Sequence, residues 1–251
     1  MSAMRVALQT TSGARYLLMC GRILQVSSPA EMAAHFGCVP PLPNVEPRYN
    51  GSPSQRFMVI RFNPETRERR LDLLEWGLLP SWEKDPKSAY KRINAKAETV
   101  DTLPSFRAAF KDRRCLVPVD AFYEWKGDKP GHKQPFALAR RDHRPFAVAG
   151  LWENWKDPAT DTWRRTFCVI TCPANTMVGV IHDRMPVILE ESQFSAWLGE
   201  TPASPADLKA MLRPYPSGLM TMWPVDRKMS NSRYQEADAA DPIGDEEYAD
   251  D

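Results

Sequence analysis

A chain of 251 residues with 43% hydrophobic side chains can build one sizeable core or two small ones. Eight tryptophans and 23 prolines point away from a helical bundle, and no apolar run approaches membrane-spanning length. Five cysteines, with no CxxC pair, argue against a disulfide framework or a metal centre and fit a reducing cytoplasm. The net charge of +1 hides an asymmetry. Residues 236–251 hold eight acids and no Lys or Arg, leaving 33 basic against 24 acidic residues in the body, about +9. Such a body suits a polyanionic partner such as nucleic acid, and the acidic end reads as a flexible tail.

Residues 1–18 show no clear period, no apolar signal core and no A-x-A site, so they read as a mis-assigned start or a removed leader. Cys20 to Val26 reads as a first strand. Ser28-Pro29-Ala30-Glu31 is a helix start, with an N-cap serine, proline at N1 and glutamate at N3, and the helix runs to Gly37. After a proline-rich loop come Arg48-Tyr49-Asn50, then strands over 57–62 and 71–76 joined by a turn at Asn63-Pro64. The stretch Trp76-Gly77-Leu78-Leu79-Pro80-Ser81-Trp82 packs large apolar groups into a loop; such a loop either caps the core or binds something.

Ser105 to Phe110 reads as a helix. Further strands are expected over 115–119, 122–125, 135–139, 146–152, 166–171, 187–189 and 220–225, with short helices at 174–180, 191–198 and 205–212. Strands dominate without strand–helix alternation. The fold class is therefore α+β, with a mainly antiparallel, barrel-like β core and peripheral short helices.

Four polar residues do not match their surroundings. In Met19-Cys20-Gly21-Arg22, Cys20 is either a buried small hydrophobe or, if everything before it is removed, a thiol and an α-amine on one residue. Their unperturbed pKa values of about 8.5 and 7.7–8.0 make both partly nucleophilic near neutrality. An aldehyde would condense with the amine, and the thiol would close a thiazolidine ring. Asn94 is a turn residue or an orienter with donor and acceptor. Glu124, among Phe122, Tyr123 and Trp125, either faces solvent or has its pKa raised by desolvation, as general acid–base work requires. His182, beside Asp183 and Arg184, titrates nearest neutral pH. A cysteine with a histidine and an asparagine also fits a cysteine protease. The residues alone leave covalent aldehyde capture, a cysteine-dependent autopeptidase and a non-catalytic reader of modified DNA open.

Taken together, Met19-Cys20-Gly21-Arg22, Arg48-Tyr49-Asn50 with Pro53, Trp76–Trp82, Ile93-Asn94-Ala95 with Ala97-Glu98-Thr99, Arg114–Pro118, Phe122–Trp125 and Ile181-His182-Asp183-Arg184-Met185-Pro186 resemble, in order, the SOS-response-associated peptidase family of abasic-site processing proteins. The resemblance covers 19–235. It implies a cytoplasmic, monomeric protein, nucleoid-associated when bound, that links covalently to abasic sites in single-stranded DNA, with no metal or organic cofactor. Hydrolase and lyase-like activities are implied with it. Cys20, Asn94, Glu124 and His182 would be catalytic. Arg22, Arg48, Asn50, Lys96 and Arg184 would meet DNA, and Trp76, Pro80 and Trp82 would form a wedge against bases. Lys96 stands where the family usually has arginine, which keeps the charge but loses the bidentate fork.

Overall fold

The computed structural model describes residues 20–127, 129 and 131–249; the expected leader, 1–18, lies outside them. The strands are β1 (Ile23–Gln25), β2 (Arg48–Gly51), β3 (Arg56–Asn63), β4 (Glu68–Trp76), β5 (Asn94–Lys96), β6 (Arg114–Val119), β7 (Ala121–Lys126), β8 (Gln134–Arg140), β9 (Phe146–Lys156), β10 (Trp163–Pro173), β11 (Arg184–Pro186), β12 (Ile188–Leu189), β13 (Met220–Pro224) and β14 (Glu247–Tyr248). The helices are α1 (Pro29–Phe36), α2 (Arg107–Asp112), α3 (Thr176–Gly179), α4 (Phe194–Leu198) and α5 (Pro205–Ala210).

Five strands close on themselves. β9 pairs β6, β6 pairs β3, β3 pairs β4, β4 pairs β10, and β10 returns to β9. All but one of these pairings are antiparallel; β10 runs parallel to β4, at Thr166 opposite Glu75, and also to the short β5. A barrel closed in this way has no free edge to protect. Its interior is filled by the apolar faces of those strands, including Phe57, Trp76 and Phe167. The Trp76 and Phe167 rings stack at 6.0 Å, and Phe57 meets Trp76 edge-on at 5.7 Å. Gly77, at φ +131°, lets the chain leave β4 where an added Cβ would press on Ala89.

A second sheet runs β14-β13-β8-β7-β1-β2 against the barrel. It carries the start of the described chain beside the centre of β7, with Ile23 opposite Phe122. Helix α1 follows its sequence signals. Ser28 caps the first turn, Glu31 completes the capping box, and Gly37 ends the helix in the left-handed conformation.

The expected flexible acidic tail is instead laid on the second sheet as far as residue 249. Ala239 is buried, the Trp223 indole donates to the Ala240 carbonyl at 2.7 Å, and Glu247–Tyr248 add a strand beside β13. Apolar Ala239 and the pairing of β14 outweigh the repulsion of the acids, several of which find donors: Thr221 to Glu246, and Tyr234 to Asp238. Among the described residues no helix is long and apolar enough to cross a membrane, and all five cysteines are free thiols.

Candidate active site

Cys20 enters the second sheet just ahead of β1, at φ +40°, a left-handed backbone that costs a non-glycine residue on the order of 1 kcal/mol. Its backbone nitrogen donates to Glu124 Oε1 at 2.7 Å, and both residues are buried. The strand pairing sets this up. β1 lies antiparallel to β7 with Ile23 opposite Phe122, so the chain before Ile23 runs out along Tyr123 and Glu124. Burial pushes the Glu124 carboxyl up to about 8; the Cys20 N–H and the charge of Lys133 pull it back down, and Asp183 adds a little to the rise. The Cys20 thiol is driven well above its ordinary value, by burial first and then by the Glu124 charge.

His182 precedes β11. Its Nδ1 lies 3.1 Å from the Arg184 amide nitrogen and accepts from it when that ring nitrogen carries no proton. The exposed Asp183 carboxylate lies 2.9 Å from the same nitrogen. Burial lowers the histidine pKa more than Asp183 raises it, and Lys133 lowers it further. Lys133 therefore acts on both Glu124 and His182, and Asp183 acts on both as well. These shared charges tie the β1–β7 half of the site to the β10–β11 half.

Asn94 begins β5 and pairs with Val169 on β10; Lys96 follows it beside Thr171, and Arg184 lies across from Pro173. Asn94, Lys96, His182 and Arg184 thus gather around the C-terminal half of β10, at one end of the barrel. Arg184 is not a bare cation. Its Nη1 and Nη2 donate to the two Glu98 oxygens at 2.6 and 2.9 Å, and Nη2 also donates to the Thr171 carbonyl. Lys96 is exposed. Arg22 projects under Trp125, 5.7 Å from its ring, and donates to Asn50 Oδ1 and to the Met229 and Ser230 carbonyls. Arg48 is half-buried on β2 with its Nε unpartnered.

Three of the residues expected to meet DNA are core residues. Asn50 is fully buried, and its side-chain amide donates to the carbonyls of Met229, Asn231 and Tyr234 at 2.7–3.0 Å. It fastens the 229–234 loop, and through Oδ1 it fixes Arg22. Trp76 fills the barrel, with its indole N–H on the Ile93 carbonyl, and Pro80 is buried too. The apolar density of this loop serves the core; only Trp82, 56% exposed and with the Arg92 guanidinium 5.4 Å from its ring, faces outward at the end of the stretch. Sequence reasoning missed Lys133, which sits in a polar turn with no motif around it, and the 227–230 turn. With Trp125 and Gly131, these line a pocket of about 220 Å³ beside the Glu124 strand. No local pattern marks either one, because both reach the site through the tertiary fold.

Comparison with known proteins places these residues in a lineage. The family model described as SOS response associated peptidase (SRAP) matches residues 19–232. Abasic site processing protein YoqW of Bacillus subtilis is 38% identical over 217 residues, 86% of this chain and 96% of that protein. Abasic site processing protein YedK of Escherichia coli is 28% identical, across 90% of this chain and the whole of that protein. A crystal structure of a Bacteroides thetaiotaomicron protein shares the fold at a TM-score of 0.79 and 23% identity, covering 89% of this chain and 99% of that one. By the extent of the family match and the likeness to YoqW, the chain belongs to the SOS response associated peptidase family.

Proposed function

We propose that this protein processes abasic sites in single-stranded DNA by covalent capture through Cys20. The observation that carries the reading is the 2.7 Å contact between the Cys20 main-chain nitrogen and a buried Glu124 carboxyl whose pKa is raised to about 8. The open-chain sugar of an abasic site is an aldehyde. Once the residues before Cys20 are removed, that nitrogen becomes an α-amine with an ordinary pKa of about 7.7–8.0, close to that of its carboxyl partner. Matched partners exchange a proton at little cost, which is the condition for general acid–base work near neutrality.

The chemistry then balances as follows. The amine adds to the aldehyde carbon, and Glu124 protonates the resulting hydroxyl so that it leaves as water. The thiol adds across the carbon–nitrogen double bond, its sulfur on carbon and its proton returned to nitrogen through Glu124, closing the five-membered ring with net loss of one water. A thiol held neutral by burial acts second, after the amine has made an electrophilic imine. Neutral His182, and Asn94 on β5, are assigned to handling the sugar hydroxyls. Arg22, Arg48, Lys96 and Arg184 are assigned to phosphates and Trp82 to a base.

The peptidase reading is weaker for the resting site. A cysteine protease needs a thiolate, and here burial and the Glu124 charge both oppose ionisation. The test uses protein that starts at Cys20, incubated with a single-stranded oligonucleotide bearing one abasic site. A denaturation-resistant adduct is expected, absent in Cys20→Ala and absent when residues ahead of Cys20 are retained. No adduct, or an undiminished one in Cys20→Ala, overturns the reading.

A further inference from the structure

A second polar cleft lies elsewhere on the barrel wall, between the β3–β4 hairpin and the β9–β10 hairpin. Its two adjoining hollows, of about 500 and 380 Å³, share Arg165. Arg61 and Arg70 line one hollow together with Trp152, and Arg56 and Trp163 line the other. Asp72 is the one acid among the lining residues of either; it holds Arg61, and Glu68 just outside holds Arg70, which leaves Arg56 and Arg165 without a carboxylate among the described residues. It is distinct from the Cys20 site. Arg165 precedes Thr171 by six residues along β10, so roughly 20 Å of strand separates it from the Lys96 pairing.

The cleft has a built interior. Arg61 lies over the Trp152 ring, 4.3 Å from its centroid, and its Nε and Nη2 both donate to Asp72 Oδ2 at 2.9 and 2.6 Å. That arrangement locks the guanidinium plane and leaves Nη1 for a ligand. Arg70, directly opposite Arg61 in the β3–β4 register, pairs with Glu68. Arg56 and Arg165 are exposed and have no ion-pair partner among the described residues. Trp163, at the outer end, is 62% exposed, an unusual place for so large a ring in a strand. Unneutralised arginines interleaved with an exposed indole match the repeating unit of a single-stranded nucleic acid, with phosphates on guanidinium groups and a base face on the ring. Lys156 Nζ lies 5.9 Å from the Trp163 ring centroid, one more cation beside the ring; a peptide of acidic residues would satisfy the cations but make no use of the exposed indole face.

We infer that the cleft between the two hairpins is a second, non-covalent binding site for single-stranded nucleic acid, with Arg56 and Arg165 on phosphates and Trp163 stacked on a base. The test uses a long undamaged labelled oligothymidine, so its outcome does not depend on lesion chemistry. Affinity is measured by anisotropy across a salt series for the wild type, for Arg56→Glu with Arg165→Glu, and for Trp163→Ala, with thermal unfolding confirming the fold of each. The charge reversal is expected to flatten the slope of log affinity against log salt by about 1.4, for two phosphates lost. Trp163→Ala is expected to weaken binding about fivefold. Photo-cross-linking through 5-iodouracil should label peptides containing Trp152 or Trp163. Unchanged affinity and slope in folded variants, or no cross-link in these peptides, overturns the inference. So does loss of the cross-links to polyglutamate at equal charge concentration, which would assign the cleft to acidic polypeptide.

Discussion

Cys20 and Glu124 are 104 residues apart in sequence, yet the nitrogen of one donates to a carboxyl oxygen of the other at 2.7 Å inside the protein. Each defines the other's chemistry. The carboxyl has so little solvent that, despite the short N–H donor that favours its charged form, it holds its proton up to about pH 8; the thiol beside it stays neutral.

The first prediction concerns stability. Glu124 has a folded-state pKa of about 8 against an ordinary value of 4.5. Between those values the folded protein holds a proton that the unfolded chain has released, so stability falls as pH rises from about 4.5 to about 8 and levels off above. Glu124→Gln keeps an acceptor for the Cys20 N–H and removes the titration. The variant is expected to be more stable than wild type at pH 8, by on the order of 4 kcal/mol, with the difference vanishing near pH 4. Denaturant unfolding at the two pH values measures it. A variant less stable than wild type at pH 8 would contradict the burial argument.

The same substitution has the opposite effect on chemistry. Glutamine cannot give or take a proton, so adduct formation by protein starting at Cys20 is expected to slow about 10²- to 10⁴-fold. In the wild type the rate should fall above about pH 8, as Glu124 loses the proton that expels water. In Glu124→Gln that alkaline decline should be absent. Initial rates of denaturation-resistant adduct, followed on gels from pH 6 to 10, separate the two behaviours.

Much of this was legible in the sequence, and the limits have physical causes. The barrel strands read clearly because β-branched and aromatic runs between turn residues are local signals; Arg56–Asn63 and Glu68–Trp76 form the expected hairpin. The helix at Pro29–Phe36 read clearly because its cap is local. β2 and β5 were missed: at four and three residues they carry no periodicity, and tertiary pairing alone makes them strands. The aromatic neighbours of Glu124 left it open between solvent and burial, and the pairing of β1 with β7 decides for burial. The burial of Asn50 was not legible, because its partners are carbonyls about 180 residues away. A net negative charge suggested a free tail, but charge cannot reveal that Ala239 and β14 have a surface to dock on.

Asn50 and Arg22 form one device. Asn50→Ala would remove the buried donor to the Asn231 and Tyr234 carbonyls and one of the two donors to that of Met229, and would leave Arg22 Nη1 held by the Met229 carbonyl alone. A loss of about 2–4 kcal/mol of stability is expected, and DNA affinity should fall only as far as Arg22 loses its position. Denaturant midpoints and oligonucleotide binding on the same samples give the comparison. Loss of binding with unchanged stability would instead make Asn50 a direct contact.

Trp76 and Trp82 bracket one heptapeptide and are expected to part company. Trp76→Ala should cost about 3–5 kcal/mol by leaving a cavity between Phe57 and Phe167. Trp82→Ala, on the exposed side, should stay within about 0.5 kcal/mol of wild type while lowering affinity for single-stranded DNA about fivefold or more. Equal destabilisation by both would show that the whole loop is core.

Glu98 offers the final test, because it occupies both terminal nitrogens of Arg184 and so masks a cation at the mouth of the site. A phosphate at that guanidinium has to compete with a carboxylate already in place. The geometry of the competition favours the resident pair, since both oxygens are engaged at 2.6 and 2.9 Å and the Thr171 carbonyl holds Nη2 from a third side. Glu98→Gln retains one acceptor oxygen and removes the charge. Single-stranded DNA affinity is expected to rise, and the slope of log affinity against log salt to steepen by about 0.7, the increment for one additional phosphate neutralised. Arg184→Gln in the Glu98→Gln background should cancel the gain. Unchanged affinity and slope in Glu98→Gln would place the phosphate path away from Arg184 and leave the Arg184–Glu98 pair a structural clamp between β11 and the turn after β5.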